Sequence, residues 1–500
     1  MVEAMTGESR MCEIPAADID RQKAIMMQVR CVLQDWPSQP LAYIDTYGCQ
    51  QNESDSEKLR GMLAEMGFGA TGDEYMADVV VVNTCAIREN AENRVLGNVG
   101  ELIHTKKAKP SQIVVFCGCL AGVPETVGKI RESYHQVDLV FPPNKLWRFP
   151  ELLQSVLRPV QPVMNARPRT TRRRVFDTEP DDGAIAEGLP IGRDGTVKAW
   201  LPIMYGCNNF CSYCIVPHVR GRERSRSPED IISEARGLVA SGYKDITLLG
   251  QNVNSYGGGR LYKGQPYEGA ATDFAALIRS LNDIDGEFLI RFMTSHPKDA
   301  SVALFRAMAE SGKAARHIHL PFQAGNDRIL GLMNRGYTHG GYLEKVAAAR
   351  ELMPDIVITS DVIVGFPGET DEDFEDTLQL VRKARFDAMF TFIYSKRPGT
   401  PAAGLADATT REEKQIRFDR LLDLQNSISE EKHRRYVGTT MKVLVDGVAD
   451  NELYPLKART NGGRLVHLIG DACLLGSFVE ASITHCNSWS LFGVIAKTGI

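Results

Sequence analysis

The feature that most constrains this chain is a group of three closely spaced cysteines. Cys207, Cys211 and Cys214 form a CxxxCxxC pattern. Three soft thiolates at this spacing can hold a cubic iron–sulfur cluster, and the iron without a protein ligand stays open to a substrate or cosubstrate. The alternative is a zinc site, but structural zinc needs a closed tetrahedron, usually built from paired CxxC units, and no second pair lies near this segment. The pattern therefore predicts a 4Fe-4S cluster that takes part in chemistry.

The length and composition of the chain fit a large globular enzyme. Its 500 residues, 43% hydrophobic and 24% charged, suggest about three domains and exclude global disorder. No apolar run approaches a membrane span, and the N-terminus lacks the apolar core of a secretory signal. Because 11 cysteines in an unexported chain favour metal binding over disulfides, we expect a cytoplasmic protein. A net charge of −5 means that any nucleic-acid partner must bind local basic patches.

The N-terminal part divides into an extension and an α/β domain. Residues 1–38 have mixed charges and end near a proline-containing boundary, and we do not expect the function to lie there. Residues 39–158 contain three β-branched or aromatic runs separated by segments of helical character. These runs predict buried strands of a small open parallel sheet: Leu41–Tyr47, Asp78–Asn83 and Gln112–Cys117.

A cysteine follows each of these predicted strands. They are Cys49, Cys85 and Cys119. Because the carboxyl ends of parallel strands form a common ligand crevice, we expect the three thiols to converge and hold a second cluster. Gly48 and Gly118 precede two of them and would let the backbone approach a bulky inorganic ligand.

The alternative for this second set is that its members are ordinary core cysteines, which are common at strand ends. Cys117 is a neighbouring candidate for the third position. It ends the predicted strand itself, where a free thiol packs like a small hydrophobic group, so we predict Cys119 as the ligand.

The central part of the chain alternates strands and helices in six rounds. Residues 159–195 form an arginine-rich linker, and residues 196–436 form the repeating domain. The predicted strands are Trp200–Tyr205, Asp245–Leu249, Phe288–Met293, His317–Leu320, Val357–Val364 and Ala388–Tyr394. Six such units predict a partial, open (β/α) barrel, with its chemistry at the carboxyl ends of the strands. The cysteine triad follows the first strand, as this architecture requires.

Two glycine-containing turns end the second and fifth strands of the predicted barrel. Glycine there would let the backbone approach a cosubstrate, although simple turn chemistry is the alternative. His296, His317 and His319 share no metal-binding spacing, and we interpret them as rim or core histidines. The candidate cosubstrate contacts are Gly250, Gln251, Gly365 and Glu369.

The C-terminal part changes to an all-β pattern after a long helix. Thr410–Tyr436 predicts that helix, and residues 437–500 predict a small antiparallel β-barrel similar to an OB-fold. The expected strands are Met441–Val445, Arg464–Leu468, Phe478–Thr484 and Trp489–Ile495. Exposed basic and amide side chains could contact RNA phosphates, although a solvated surface is equally compatible with the pattern. The candidates are Lys457, Arg459, Asn461 and Arg464, the helix end at Arg434 and Arg435, and the arginines from Arg220 to Arg226.

With the triad, four segments of this chain resemble the methylthiotransferase family of radical S-adenosylmethionine (SAM) enzymes. They are Thr46–Asn52, Asn83–Glu92, Ile215–Arg226 and Ser395–Thr400. The resemblance runs from about residue 41 to the C-terminus. It implies an N-terminal methylthiotransferase domain, a central radical SAM domain and a C-terminal TRAM domain that binds RNA. The family usually has glutamine where this chain has Gly122.

The resemblance also implies cofactors and a reaction. Two 4Fe-4S clusters would be held by the two three-cysteine sets, with SAM as cosubstrate at the triad cluster. A 5'-deoxyadenosyl radical would remove a hydrogen from carbon 2 of N(6)-isopentenyladenosine 37 in tRNA. The N-terminal cluster would provide the sulfur, which a second SAM methylates.

The partners implied are tRNA, a flavodoxin-like or ferredoxin-like electron donor and a sulfur source. We expect no membrane partner and a monomer.

One alternative is a methylthiotransferase that acts on threonylcarbamoyl-adenosine in tRNA or on an aspartate of a ribosomal protein. The Asn83–Glu92 segment favours the isopentenyladenosine branch. A second alternative, from another class, is a non-catalytic iron–sulfur protein that binds RNA.

Overall fold

The computed structural model describes residues 13–86, 89–157, 174–179, 183–257, 261–262, 265–266 and 273–496. The predicted α/β class is confirmed. A parallel-sheet domain, a partial (β/α) barrel and a closed β-barrel follow one another along the chain. Residues 159–173 and 180–182 of the predicted linker lie outside the described residues. The predicted domain boundaries remain predictions.

The N-terminal domain is built on one six-stranded sheet. All of its strand pairs are parallel, in the order β2-β1-β3-β4-β5-β6. Its elements are α1 (Ala16–Leu33), β1 (Leu41–Thr46), α2 (Gln50–Glu65), β2 (Gly69–Ala70), β3 (Val79–Thr84), α3 (Glu89–Ala108), β4 (Ile113–Gly118), a 3-10 helix (Cys119–Gly122), α4 (Pro124–Ser133), β5 (Leu139–Phe141), a 3-10 helix (Pro143–Arg148), α5 (Phe149–Leu157) and β6 (Val175–Phe176).

Two segments outside the predicted domain complete this core. The predicted extension contains α1, and its residues Met26 and Val29 are buried against Leu59 of α2 and the sheet. The predicted linker contributes β6 to the edge of the same sheet. Strands β3 and β4 are buried on both faces, which explains their uninterrupted apolar sequences.

The central domain contains the six predicted parallel strands in sequence order. They form two three-stranded sheets, and a parallel bridge between Ile290 and Ala314 joins the sheets into one open barrel. Its elements are β7 (Lys198–Pro202), β8 (Met204–Tyr205), α6 (Val216–Arg220), β9 (Arg224–Ser225), α7 (Pro228–Ala240), β10 (Asp245–Leu249), β11 (Leu261–Tyr262), β12 (Gln265–Pro266), α8 (Phe274–Asn282), β13 (Leu289–Phe292), α9 (Val302–Glu310), β14 (His317–His319), α10 (Asp327–Leu332), α11 (His339–Leu352), β15 (Val357–Val364), α12 (Asp371–Ala384), β16 (Ala388–Ile393) and α13 (Arg411–Arg434).

Local sequence sets where the helices of this domain begin. Ser227 caps α7, with proline at its first position. Thr370 and Thr410 begin α12 and α13 with reciprocal capping boxes, each closed by an acidic residue three positions on. These caps satisfy backbone N–H groups that the first turn leaves free.

The C-terminal domain is a closed barrel of five strands in the order β17-β18-β19-β21-β20. The strands are β17 (Thr440–Val448), β18 (Leu456–Thr460), β19 (Leu465–Ile469), β20 (Phe478–Cys486) and β21 (Leu491–Ile495). Four of them correspond to predicted strands, and β18 was missed. The pairing is antiparallel except between β19 and β21, which are parallel.

The barrel is attached to the central domain by buried polar contacts. Arg464 pairs with Asp387, and both side chains are buried. Arg291 donates hydrogen bonds to the backbone oxygens of Thr460 and Asn461, at 3.0 and 2.7 Å. The prediction that Arg464 and Asn461 face RNA is therefore wrong for Arg464, because its charge is used inside the protein.

Replacing Arg464 with alanine should destabilise the attachment of the barrel. It leaves the buried Asp387 carboxylate with Lys432 as its remaining ion-pair partner, at 2.9 Å. Removing one member of a buried pair typically costs about 3–5 kcal/mol, and we expect the lower end because Lys432 remains. Urea unfolding would show a lower midpoint. Arg435→Ala breaks an exposed pair with Glu431 and should change the midpoint little. Equal midpoints for the two variants would contradict the conclusion that the Arg464–Asp387 pair attaches the barrel to the central domain.

Among the described residues, no helix is both long enough and apolar enough to cross a membrane.

Candidate functional site

The three cysteines of the N-terminal set lie at one edge of the sheet. Cys49 begins α2 just after β1, Cys85 follows β3, and Cys119 follows β4. These strands are adjacent and parallel, so the three residues share the carboxyl edge. The thiol groups of Cys49 and Cys119 are close enough to interact electrostatically. The predicted convergence is therefore present in the structure.

Glycines let these loops approach each other. Gly48 has φ of +112°, and a Cβ added there would lie 2.3 Å from the Cβ of Cys85. Gly118 has φ of +89°, and its added Cβ would lie 2.4 Å from the backbone oxygen of Thr84. Any side chain at either position would push the cysteine loops apart. The two glycines therefore allow the loops that carry the cysteines to lie close to each other.

Two asparagines brace the same loops. The Asn52 side-chain amide donates to the backbone oxygens of Tyr47 and Thr84, at 2.7 and 2.8 Å. The Asn83 amide donates to the backbone oxygen of Asn52 at 2.8 Å. Because they cross-link the segments that carry Cys49 and Cys85, these asparagines fix the spacing of the two thiols.

Cys117 and Cys119 face different surroundings. Cys117 is buried within β4 among the apolar side chains between the sheet and α1, α2 and α5. Burial, with the nearby Asp55 charge, raises the pKa of the Cys117 thiol well above its usual value. Cys119 lies on the other side of the sheet and contacts Arg220. Burial raises the pKa of the Cys119 thiol, and the guanidinium of Arg220 opposes that rise.

The triad sits in a loop that is held from two sides. Gly206, just before Cys207, has φ of +76°, and an added Cβ would lie 2.2 Å from the backbone oxygen of Arg222. On the other side, Ser212 donates from its backbone and its hydroxyl to the carbonyl groups of Met333 and Leu332, at 3.0 and 2.8 Å. The loop that presents the three thiols is therefore fixed by its neighbours.

A buried cation lies against the triad. The guanidinium Nη1 of Arg335 lies 3.3 Å from the sulfur of Cys211 and is buried. Burial and the Cys211 charge raise the pKa of Cys207 to about 11 and that of Cys214 to about 12. Thiols with pKa values raised in this way, as those of Cys207 and Cys214 are, do not ionise at physiological pH unless positive charge compensates them. Iron ions would supply that charge, and Arg335 adds to it.

A short helix joins the two cysteine sets. Helix α6 begins two residues after Cys214 and ends at Arg220. With five residues, it is about 8 Å long. Its Val219 packs against Gly122, where an added Cβ would lie 3.2 Å from the Cβ of Val219. A side chain at residue 122 would therefore require Val219 to shift by a few tenths of an ångström.

Arg220 connects the triad segment to the N-terminal set. Its buried guanidinium donates to Asn52 Oδ1 at 2.7 Å and to Asp55 at 2.9 Å, and it also hydrogen-bonds the Cys119 thiol. Although burial lowers the pKa of Arg220, the charges of Cys119, Asp55 and Cys49 raise it well above its usual value. A fixed cation thus stands beside thiols that would carry negative charge when they bind iron.

This position corrects the prediction that the arginines from Arg220 to Arg226 contact tRNA. Arg220, Arg224 and Arg226 are buried. Arg226 pairs with Glu187 at 2.6 Å and with Glu234 at 2.8 Å. Arg222 is exposed and lies over the Phe210 ring at 4.4 Å. The sequence shows a basic run but not the distant acidic partners that neutralise it.

The four predicted cosubstrate contacts each have another partner. Gln251 accepts a hydrogen bond from the backbone N–H of Gly206 and so holds the triad loop. Gly250 packs on Met204, where an added Cβ would lie 2.4 Å from Cγ. The Glu369 carboxylate accepts from Gly365 N–H at 2.7 Å and pairs with Arg417 of α13. Their contacts to SAM stay predictions.

Among the described residues, Glu369 Oε1 is buried without a hydrogen-bond partner, and further unpaired polar atoms lie elsewhere at the barrel mouth. In the described part of the chain, Asn252 Oδ1, Ser295 Oγ and His296 Nε2 are buried without a hydrogen-bond partner. They follow β10 and β13. The His296 ring lies 5.7 Å from that of Tyr337, and Tyr337 accepts from Arg335 at 3.1 Å. Buried polar atoms of this kind need a partner, and they lie near the triad.

Both cysteine sets fit iron–sulfur clusters. Within the described ranges, no three His, Cys, Asp or Glu side chains form the compact shell that one metal ion needs. A cube makes a different demand, because its three thiolates bind three different irons and stay apart. The chemistry of both sets, with buried or half-buried thiols, a neighbouring arginine and glycine-dependent loops, is compatible with such a cluster.

Three family models match the chain. The model described as "Radical SAM superfamily" matches residues 201–381, "Uncharacterized protein family UPF0004" matches residues 41–142, and "TRAM domain" matches residues 434–496. The three matches fall on the central barrel, the N-terminal parallel-sheet domain and the C-terminal closed barrel, respectively.

Curated relatives match over nearly the whole chain. A tRNA-2-methylthio-N(6)-dimethylallyladenosine synthase from Acetivibrio thermocellus is 49% identical, over 91% of this chain and 90% of that protein. Proteins of the same name from a Thermoanaerobacter species and from Alkaliphilus oremlandii are 45% and 47% identical. They cover 96% and 91% of this chain, and 97% and 92% of their own lengths.

A solved structure shares the fold. The radical SAM methyltransferase TsrM from Kitasatospora setae, with tryptophan and a SAM analogue bound, superposes with a TM-score of 0.52 at 14% identity. The superposition covers 73% of this chain and 75% of that one. This likeness concerns the fold alone. By its relatives, the chain belongs to the family of the tRNA-2-methylthio-N(6)-dimethylallyladenosine synthases, within the radical SAM superfamily.

Proposed function

We propose that this protein is a radical SAM methylthiotransferase that adds a methylthio group to carbon 2 of N(6)-isopentenyladenosine 37 in tRNA. The observation that carries the proposal is the pair of three-cysteine sets joined by α6 and Arg220 in one molecule. A non-catalytic iron–sulfur protein has no need of two incomplete ligand sets at so short a separation.

Each of the two three-cysteine sets is assigned one 4Fe-4S cluster. Cys207, Cys211 and Cys214 would hold the cluster to which SAM binds, and Cys49, Cys85 and Cys119 would hold the other. When bound, the clusters provide the electron that cleaves SAM and the sulfur that is transferred. Arg335 and Arg220 each keep a buried positive charge beside one set of thiolates. Hydrogen bonds to cluster sulfurs also tune reduction potential.

We assign SAM to the barrel mouth beside the triad. Asn252, Ser295 and His296 supply the unpaired buried atoms there. Burial lowers the pKa of His296 to about 2, so its imidazole is neutral at physiological pH. Because Nδ1 accepts from the backbone N–H of Lys298 at 3.1 Å, the unpaired Nε2 carries the proton and can donate a hydrogen bond. Gly250, Gln251, Gly365 and Glu369 remain proposed contacts, and their observed roles favour support of the surrounding loops.

The partners follow from this reaction. The substrate is tRNA, for which the TRAM match at residues 434–496 provides support. The chemistry also needs an electron donor of the flavodoxin or ferredoxin type and a source of sulfur to restore the N-terminal cluster. We propose that the protein works in the cytoplasm as a monomer.

Mass spectrometry of tRNA nucleosides tests the proposed function in cells. A strain that lacks this protein should accumulate N(6)-isopentenyladenosine and lose its 2-methylthio derivative. The native gene should restore the derivative, and a gene that encodes Cys214→Ala should not. Loss of a methylthio group from threonylcarbamoyl-adenosine or from a ribosomal-protein aspartate, with the isopentenyl nucleosides unchanged, would instead favour the alternative substrates.

A further inference from the structure

A row of ring-bearing side chains crosses the outer face of the C-terminal barrel. His467 of β19 pairs in register with Phe492 of β21, and Phe492 pairs with His485 of β20. The Phe492 ring centroid lies 5.0 Å from that of His467 and 4.5 Å from that of His485, and both pairs are stacked. We call His467, Phe492 and His485, together with Tyr454, the outer aromatic row. Tyr454 lies 5.1 Å from Phe492, edge to face.

The alternation of the strands places this row outside the barrel core. Val466 and Leu468 flank His467, and Leu491 and Gly493 flank Phe492; all four flanking residues are buried. His485 is exposed, and the other three rings are half-buried. The row therefore presents ring faces and edges to solvent and does not fill the interior.

One lysine extends the row. Lys457 of β18 is the register partner of His467 and is exposed. In the described residues of the barrel, the other lysine and arginine side chains form ion pairs: Lys442 with Glu287, Arg459 with Asp446, and Arg464 with Asp387. Lys457 forms none there, so its charge is available to an anionic partner.

The charge state of the row suits stacking. Burial, and then the Lys457 charge, lower the pKa of His467, so this imidazole is neutral at physiological pH. His467 and His485 stack on opposite faces of Phe492, so the column of three rings offers a π face at its exposed His485 end and has the Lys457 cation beside its His467 end. Unpaired nucleobases bind such surfaces, with their phosphates against nearby cations.

We propose that the outer aromatic row is a stacking site for an unpaired nucleobase of the tRNA substrate, with Lys457 against an adjacent phosphate. This inference rests on the proposed function. RNA is favoured over a protein partner because the surface combines planar rings with an unpaired cation. It takes the place of the buried Arg464, Arg220, Arg224 and Arg226 as the site of RNA contact.

The test is equilibrium binding of the full-length protein to a set of stem–loop RNAs. Each RNA carries the fluorescent base 2-aminopurine at one of its unpaired positions. Phe492→Leu keeps an apolar side chain but removes the ring on which the exposed His485 is stacked, so the π face of His485 is no longer held in place. It should weaken binding by about ten- to a hundredfold, the usual effect of losing one base–aromatic stack. It should also change the quenching of 2-aminopurine at one loop position. His485→Ala, at an exposed site, should weaken binding in the same direction without a folding risk.

Salt dependence separates the lysine from the rings. Lys457→Met should reduce the slope of log affinity against log salt by about 0.7, the value for one phosphate of a single strand. Phe492→Leu should leave that slope unchanged. Leu475→Ala, an exposed apolar residue in the turn before β20, is the matched control and should bind like the native protein.

The outcomes distinguish this inference from the proposed function. If Phe492→Leu and His485→Ala bind the RNA as tightly as the native protein, the stacking site is wrong, whereas methylthiolation of tRNA by the same variants would leave the proposed function intact. If the native protein itself has no affinity for the RNA, the proposed function fails first. SAM cleavage by each variant should equal that of the native protein, which shows that the central domain is folded.

Discussion

Replacing Cys207, Cys211 and Cys214 together with alanine should remove half of the iron and abolish reductive cleavage of SAM. The anaerobically reconstituted native protein should hold two 4Fe-4S clusters, about eight irons per chain. The triad loop contacts the N-terminal set through α6 and does not share its ligands. The triple variant should therefore keep one cluster, seen as about four irons by colorimetric analysis and as a single 4Fe-4S signal by Mössbauer spectroscopy.

Cys473→Ala provides the matched control for this variant. Cys473 is a free, exposed cysteine of the C-terminal barrel, and its loss should change neither the iron content nor the yield of 5'-deoxyadenosine. Unchanged iron in the triple variant would contradict the cluster assignment. SAM cleavage absent from the native protein, with both clusters present, would favour the non-catalytic RNA-binding alternative.

Cys119→Ala should stop formation of the methylthio product while SAM cleavage continues. Cys119 faces Arg220 and Cys49 at the carboxyl edge of the sheet, whereas its neighbour Cys117 is packed among apolar side chains on the opposite face. The triad is intact in this variant, so 5'-deoxyadenosine should remain measurable by chromatography. The transferable sulfur should be lost with the N-terminal cluster.

Cys117→Ala is the matched control, because it removes the thiol two residues before Cys119 and leaves the predicted ligand in place. We expect product formation close to that of the native protein. The cost should be a loss of stability of about 1 kcal/mol, typical of removing a small buried group. Iron content should fall by half in Cys119→Ala and stay unchanged in Cys117→Ala. The reverse pattern would show that Cys117 is the ligand.

The sequence predicts those parts of the fold that depend on local pattern. The strands of both α/β domains follow from short buried apolar runs, and the helix starts at Ser227, Thr370 and Thr410 follow from capping residues. The convergence of the N-terminal cysteines could be predicted because parallel strands end at a common edge. Strand β18 was missed because, in its Leu-Lys-Ala-Arg-Thr sequence, only leucine has a large apolar side chain.

The rest of the site depends on partners that are distant in sequence. Arg220 resembles a phosphate-binding residue until the structure shows Asn52 and Asp55 beside it. Glu369 suggests a cosubstrate contact until Arg417 of α13 appears as its partner. The outer aromatic row could not be found from sequence, since it requires the register of three strands.

The most direct test of the account is one reaction with purified components. The reconstituted protein, a reductant and SAM with a deuterated methyl group are incubated with tRNA that carries N(6)-isopentenyladenosine, and the nucleosides are analysed by mass spectrometry. The account predicts a 2-methylthio nucleoside with the deuterated methyl group, formed together with 5'-deoxyadenosine and only when both cysteine sets are intact. Deuterated product from the Cys119→Ala variant, or 5'-deoxyadenosine from the native protein without any methylthio nucleoside, would contradict it.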